Sequence, residues 1–108
     1  MIDQREKVNE LVSFYGPLLT AKQLRILTWY YGEDLSLSEI ACNLAISRSA
    51  VSDALATARK ALDDYEAKLH LHRDYVFRER MYQKLRSLND QRVTPIVDKL
   101  IDKEEESS

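Results

Sequence analysis

Glycine and proline are scarce in this sequence, with two of each among 108 residues. β-Sandwiches and barrels need many tight turns, and glycine and proline are the usual residues of such turns. Their scarcity argues against a turn-rich β fold and favours long helices. Hydrophobic residues make up 44% of the chain and charged residues 31%, which is typical of a folded globular domain rather than a disordered or fibrous chain.

Cysteine and long apolar runs are equally sparse. Cys42 is the single cysteine, so an internal disulfide is excluded and the reducing cytosol is the favoured compartment. No apolar run approaches the roughly 18 residues of a membrane span. The segment MIDQREKVNE at the start of the sequence is too charged for a signal peptide. We therefore expect a cytoplasmic protein without membrane insertion.

Motifs that carry catalysis are also missing. The sequence has no Gly-rich phosphate loop, no Gly-x-Ser-x-Gly and no His-Glu-x-x-His. His70 and His72 are two residues apart, so on a helix they would point about 200° away from each other and could not bind one metal ion. No histidine is placed by sequence to activate Cys42. We expect neither an enzyme, nor a metal site, nor a cofactor.

Charge is nearly balanced overall but unevenly distributed. Sixteen Lys and Arg stand against eighteen Asp and Glu, a net charge of −2, which lowers the expectation of strong nucleic-acid binding. Residues 73–97 carry six positive and three negative side chains, and residues 98–106 carry two positive and five negative. Within the first range, Arg73, Arg80 and Lys84 share one face of a regular helix. They form a candidate basic patch, and the alternative is a solvated surface neutralised by nearby carboxylates.

Apolar residues recur along the chain at spacings of three and four, the pattern of amphipathic helices. The expected fold is therefore all-α, a helical bundle with a C-terminal helical extension. We expect one all-α domain over residues 1–92, a C-terminal helix over 93–103 and a disordered acidic tail over 104–108.

The most informative stretch is LSLSEIACNLAISRSAVSDALATARKAL, residues 35–62. A short capped helix, a tight turn and a longer helix follow one another, and small Ala41 lets the second helix approach while Val51 packs back on the first. The pattern resembles the helix-turn-helix of bacterial sigma-factor region 4, a wingless relative of the winged-helix superfamily, at about residues 36–62. The turn usually holds glycine, whereas this chain has Ala45. A left-handed conformation would cost alanine on the order of 1 kcal/mol, and a turn of another shape is the alternative.

In this motif the second helix enters the DNA major groove, and its first residues face the bases. Arg48 could bond a guanine edge, while Arg59 and Lys60 could reach phosphates. Asp53 would be repelled by phosphate unless it accepts a hydrogen bond from cytosine. A helix-turn-helix that serves as a protein-docking surface is the competing interpretation. The candidate contact residues are Ser47, Arg48, Ser49, Ser52, Asp53, Arg59 and Lys60.

A wider comparison runs from about Leu11 to Arg80. The features that carry it, inside and outside the motif, are Phe14-Tyr15 with Leu18-Leu19-Thr20, Tyr30-Tyr31, the SLSEIA helix, the SRSAV junction and DYEAKLH with Asp74-Tyr75. Together they resemble the YlxM-type family of small bacterial helix-turn-helix proteins. The resemblance implies a cytosolic regulator linked to the signal recognition particle pathway, with DNA or structured RNA and signal recognition particle components as expected partners.

Two apolar stripes are long for so small a chain. One runs from Val51 to Leu69, and the other covers the C-terminal helix from Val93 to Ile101. We expect a homodimer, since helix-turn-helix proteins commonly bind DNA as two-fold dimers. Its interface should involve Tyr65, Leu69, Phe77 and the C-terminal stripe. A monomer in which both stripes are internal core is the alternative.

Overall fold

The computed structural model describes residues 4–106 and contains no β-strand within them. The predicted all-α class is confirmed. Short 3₁₀ and π segments, Gly16–Leu18 and Thr28–Gly32, lie at either end of the second α-helix. The α-helices are α1 (Gln4–Tyr15), α2 (Ala21–Leu27), α3 (Leu37–Leu44), α4 (Arg48–Leu69), α5 (Leu71–Ser87) and α6 (Thr94–Glu106).

Capping boxes start α2 and α3. The Gln23 backbone N–H donates to the Thr20 hydroxyl at 3.1 Å, and the Thr20 N–H donates to Gln23 Oε1 at 3.1 Å. Ser36 and Glu39 exchange the equivalent bonds at 3.0 and 3.2 Å. Each box satisfies backbone donors that a helix N-terminus leaves without intrahelical partners.

A π turn follows α2 and was not predicted. The Glu33 N–H donates to the Thr28 carbonyl at 2.9 Å, one residue farther back than in an α-helix. The Asn9 side-chain amide donates to the Tyr31 carbonyl at 2.9 Å, so α1 contacts the wider turn directly. Tyr31 is buried here, and Tyr30 packs edge-on against its ring with centroids 4.9 Å apart.

The chain divides into two compact units, Met1–His72 and Arg73–Ser108, whereas the sequence led us to expect one domain over residues 1–92. The division follows the end of α4, where His70 takes a left-handed conformation (φ 56°) and its N–H donates to the Glu66 carbonyl. Glycine is the usual residue for such a helix end, so the sequence carries no local signal for it. The core of the first unit comprises Val8, Leu11, Tyr15, Ile26, Leu27, Tyr31, Ile40, Ala41, Val51, Leu55, Ala58 and Leu62.

The buried hydroxyl of Tyr15 connects α1 to the end of α4 and the start of α5. It donates to Glu66 Oε1 at 2.5 Å and accepts the Leu71 N–H at 3.0 Å. The same Glu66 oxygen accepts the His72 N–H at 3.1 Å, and His72 Nε2 lies 2.6 Å from Glu10 Oε2. Burial is the main cause that raises the pKa of Tyr15, and the hydrogen bond to Glu66 raises this pKa further.

The second unit is an antiparallel hairpin. Arg78 on the first half of α5 bonds Glu104 at the end of α6 at 2.8 Å. Arg86 at the end of α5 forms an ion pair with Asp98 on the first half of α6. Early α5 thus meets late α6, and late α5 meets early α6. The α6 helix continues through Glu106, so residues 104–106, which we expected in a disordered tail, are helical, while residues 107–108 lie outside the described part.

No helix within residues 4–106 is both long and apolar enough to cross a membrane. No three His, Cys, Asp or Glu side chains in this range are grouped so that they could hold a metal ion.

Replacing Tyr15 with Phe tests the junction between α4 and α5. We expect Tyr15→Phe to lower the free energy of unfolding by about 1–3 kcal/mol, because the Leu71 N–H and the Glu66 carboxylate each lose the hydrogen bond that they share with the buried hydroxyl. Urea unfolding followed by circular dichroism measures the change. Tyr30→Phe is the matched control, since no hydrogen bond of the Tyr30 hydroxyl occurs within residues 4–106, and it should shift stability by less than about 0.5 kcal/mol. Equal effects of the two variants would contradict the role of Tyr15.

Candidate nucleic-acid interface

The helix-turn-helix consists of α3, the turn at residues 45–47 and α4. Ile40 and Ala41 on α3 and Val51 and Leu55 on α4 are all buried, none more than 8% exposed. The small side chain of Ala41 therefore occupies the helix–helix contact, as the sequence predicted. This packing fixes the direction in which the other side of α4 faces.

The turn keeps the left-handed shape without glycine. Ala45 has φ 56° and ψ 43°. Its N–H donates to the Cys42 carbonyl at 3.3 Å, and the Ile46 N–H donates to the Ala41 carbonyl at 3.1 Å. This pair of bonds is the Schellman arrangement that closes a helix C-terminus. The backbone hydrogen bonds hold alanine in a conformation that it adopts at a cost.

Ser47, the first candidate contact, caps α4. Its hydroxyl accepts the Ala50 N–H at 3.0 Å, which satisfies one of the free donors of the first turn. Ser47 also adopts an extended backbone conformation as the residue before the helix. The structure therefore assigns its side chain a role in starting α4.

The exposed side of α4 carries most of the other candidates. Ser49, Asp53 and Lys60 are spaced by four and seven residues, so they follow one face of the helix, and all three are exposed. Arg48 and Ser52 are exposed next to them. Within residues 4–106, the side chains of Arg48, Ser49 and Ser52 make no hydrogen bond or ion pair. The start of α4 thus presents three polar side chains whose donors are available to a ligand.

The charge of this face is modest. Lys60 Nζ lies 3.0 Å from Asp64 Oδ2, one helical turn farther along, and both groups are exposed. Exposed Asp53 adds a negative charge near the serines. Such a surface pair is weak and can exchange partners, but it reduces the positive potential that a phosphate would meet.

Arg59 follows Arg48 and Ser52 along α4, two helical turns beyond Ser52 on the same side of the helix. Its guanidinium carbon is 5.8 Å from the centre of the Tyr31 ring, a cation–π contact. It also borders a cavity of about 200 Å³ together with Val8 and Leu11 of α1 and Leu62 of α4. The Arg59 side chain therefore contacts other helices of its own unit, whereas Arg48 and Ser52 do not.

Lys22 is a cation that our sequence analysis missed. It borders a groove between α2 and α4 with Thr20 and Gln23 on one side and Ala54 and Thr57 on the other. The capping box could have placed Lys22 in the first turn of α2. Its position beside α4 follows only from the packing of α2 on α4. The spacing of residues along the sequence does not reveal that packing.

The candidate basic patch belongs to the second unit. Arg80 and Lys84 are exposed one turn apart on α5, and no salt bridge involves either of them within residues 4–106. The Arg73 guanidinium lies 3.4 Å from the neighbouring Asp74 carboxylate. Two of the three predicted cations therefore share a face of α5 without a neutralising carboxylate.

Comparison with known proteins agrees with this architecture. The sequence model of UPF0122, described as "Putative helix-turn-helix protein, YlxM / p13 like", matches residues 2–103. The chain belongs to this family. UPF0122 proteins of the Streptococcus pneumoniae strains Hungary19A-6 and CGSP14 are each 40% identical to it over 84 residues, which cover 78% of this chain and 76% of theirs. The predicted family is confirmed.

Ala45 supplies a direct test of the turn. Ala45→Gly should raise the free energy of unfolding by on the order of 1 kcal/mol, because glycine adopts φ 56° without steric cost. In a domain of this size that corresponds to an increase in Tm of about 4–8 °C. Ala56→Gly on the exposed side of α4 is the control, and it should destabilise by about 1 kcal/mol. A loss of stability in both variants would refute the strained turn.

Proposed function

We propose that this protein is a cytoplasmic regulator that binds nucleic acid through the first half of α4 and has no catalytic activity. The single observation that carries the proposal is the exposed, unpaired group formed by Arg48, Ser49 and Ser52 at the start of the second motif helix. In helix-turn-helix proteins these first turns face base edges in the major groove. Arginine is suited to bidentate contact with guanine, and serine can donate to bases or phosphates.

Cations around this group provide contacts with the nucleic-acid backbone. Lys22 approaches from the α2 side, and Lys60 lies farther along α4. Phosphate contacts orient a protein on its duplex without reading the sequence. In this proposal Arg48 supplies specificity, whereas Lys22 and Lys60 supply affinity that depends on salt concentration. Duplex DNA is the favoured ligand, and structured RNA is an alternative that Arg80 and Lys84 could bind by its phosphates.

A second function, protein docking, is favoured by particular residues. Asp53 is exposed on the same face as Ser49, and the Arg59 guanidinium packs against the Tyr31 ring. The net charge of −2 also limits general attraction to phosphate. In this alternative the motif is an adaptor surface for secretion-targeting components. The proposed connection to the signal recognition particle pathway comes from the YlxM-type resemblance and applies to either function.

A homodimer completes the proposal, because two copies would present two α4 helices to successive major grooves. Tyr65, one of the predicted interface residues, is already engaged within its own chain. Its hydroxyl donates to the Leu18 carbonyl at 3.1 Å, and its ring stacks on Tyr15 with centroids 5.9 Å apart. Leu69 is 47% exposed and Phe77 is 62% exposed, so these two positions remain accessible to a second copy.

Binding measurements at several salt concentrations test the proposal. A duplex selected from a random pool and its scrambled counterpart should both lose affinity steeply as salt rises, with a slope of about −0.9 per neutralised phosphate. Arg48→Ala should weaken binding to the selected duplex by about 1–3 kcal/mol. The affinity of this variant for the selected duplex should then approach its affinity for the scrambled duplex. Lys22→Gln should weaken both duplexes equally and reduce the slope by about one.

Arg92→Ala is the matched control for this experiment. Arg92 is exposed and bonds Asp90 two residues away, so its removal should leave both affinities unchanged. Wild-type protein that binds neither DNA nor structured RNA, yet retains a protein from nuclease-treated lysate, would replace the proposed function with the adaptor. Equal binding by wild type and Arg48→Ala would remove Arg48 from the site.

A further inference from the structure

The second unit has little core for its size. Tyr82 on α5 and Val97 on α6 are its only buried hydrophobic residues within the described part of the chain. Segments of fewer than about 40 residues usually need a disulfide, a metal or association with another chain for stability. Six large hydrophobic side chains of this unit are also exposed between 37% and 66%. One of them, Tyr75, lies about 20° forward from Tyr82 around α5. The other five are Phe77, Leu85, Leu88, Ile96 and Leu100.

The helical register puts these side chains on one side of the hairpin. Successive residues turn by about 100° around a helix. We measure angles around the axis of α5 from Tyr82 and call the rotation toward Met81 backward. Met81 then lies about 100° backward, and Phe77, Leu85 and Leu88 lie between about 60° and 140° backward. Leu88 extends the last turn of α5, since its N–H donates to the Leu85 carbonyl at 3.3 Å.

The same count applies to α6. Measured from Val97, Ile96 and Leu100 lie about 100° and 60° backward. Because α5 and α6 are antiparallel and Tyr82 and Val97 mark their facing sides, backward rotation leads to the same side of the hairpin in both helices. Phe77, Met81, Leu85, Leu88, Ile96 and Leu100 therefore form one continuous surface, which we call the apolar hairpin face.

We propose that the apolar hairpin face binds the same face of a second copy of this chain, so that two hairpins form a four-helix bundle. The proposal rests on the homodimer of the proposed function and assigns its interface. An isologous contact requires a surface that complements itself across a two-fold axis, and a flat apolar surface made of two antiparallel helices meets this requirement. Antiparallel hairpins with short loops are the usual components of such bundles.

Area and charge both favour a second copy as the occupant. The five exposed side chains leave on the order of 500 Å² uncovered in each copy, for side chains of roughly 150–200 Å² each. Two copies would bury about 1,000 Å² from these residues alone, which is the lower limit of a biological interface. Residues 73–106 carry eight positive and eight negative side chains, so no net charge opposes self-association or attracts an anionic lipid surface.

Sedimentation equilibrium of the full chain tests the face. Wild-type protein should reach twice the 12.6 kDa monomer mass at micromolar concentration. Phe77→Lys and Leu88→Lys should each raise the dimer dissociation constant at least tenfold, because a charge in an apolar interface lacks a partner. Gln83→Lys is the matched control, since residue 83 is exposed one step forward from Tyr82, on the other side of the hairpin, and it should leave the dimer intact.

Crosslinking keeps the test decisive if a lysine variant unfolds. In a Cys42→Ser background, Leu88→Cys should form a covalent dimer with a short bis-maleimide, and Gln83→Cys should not. A wild type that is monomeric at every concentration would overturn both the homodimer and this face. The same holds for a monomer that sediments with phosphatidylcholine vesicles. A wild-type dimer that tolerates Phe77→Lys and Leu88→Lys, with no Leu88→Cys crosslink, would overturn the face alone.

Discussion

The buried hydroxyl of Tyr15 is the interaction on which the course of the chain depends. Bonded to Glu66 and to the Leu71 N–H, it defines where α4 ends and α5 begins, although the sequence has no glycine or proline near this point. A buried polar group without partners would be costly, so the hydroxyl, the carboxylate and the backbone donors stabilise one another as a set. Their removal would leave His70 to hold a left-handed conformation with less support.

Left-handed residues other than glycine lie in most of the connections between helices. Asp34, Ala45, His70 and Asn89 all have positive φ values, whereas neither glycine does. Asp and Asn tolerate this conformation better than most residues do, and Asn89 lies in the connection between α5 and α6. Ala45 could be placed because the helix-turn-helix pattern requires a left-handed residue there. His70 could not, because its conformation depends on Glu66 and Tyr15, which are distant from each other in sequence.

The same distinction explains how far the site was predictable. Arg48, Ser49 and Ser52 were placed correctly on the exposed side of α4, because helical periodicity determines which residues oppose Val51 and Leu55. Arg59 was expected two turns farther along α4 as a phosphate contact, and its position against Tyr31 depends on the packing of α1 and on an unpredicted π turn. Lys22 was overlooked because it approaches α4 from another helix. Local patterns therefore predicted the helices and their exposed faces, while contacts between helices required the structure.

The small positive charge of the motif connects the two proposals. In one copy, Arg59 lies over Tyr31 and Lys60 must exchange Asp64 for a phosphate, so the proposed function has Lys22 and Lys60 as its principal backbone contacts beside Arg48. Each neutralised phosphate contributes separately to salt-dependent affinity, so a single copy would bind weakly. A dimer held by the apolar hairpin face would double these contacts, and the second α4 would bind at the high effective concentration set by the linkage. Weak binding by one motif is thus compatible with tight binding by the pair.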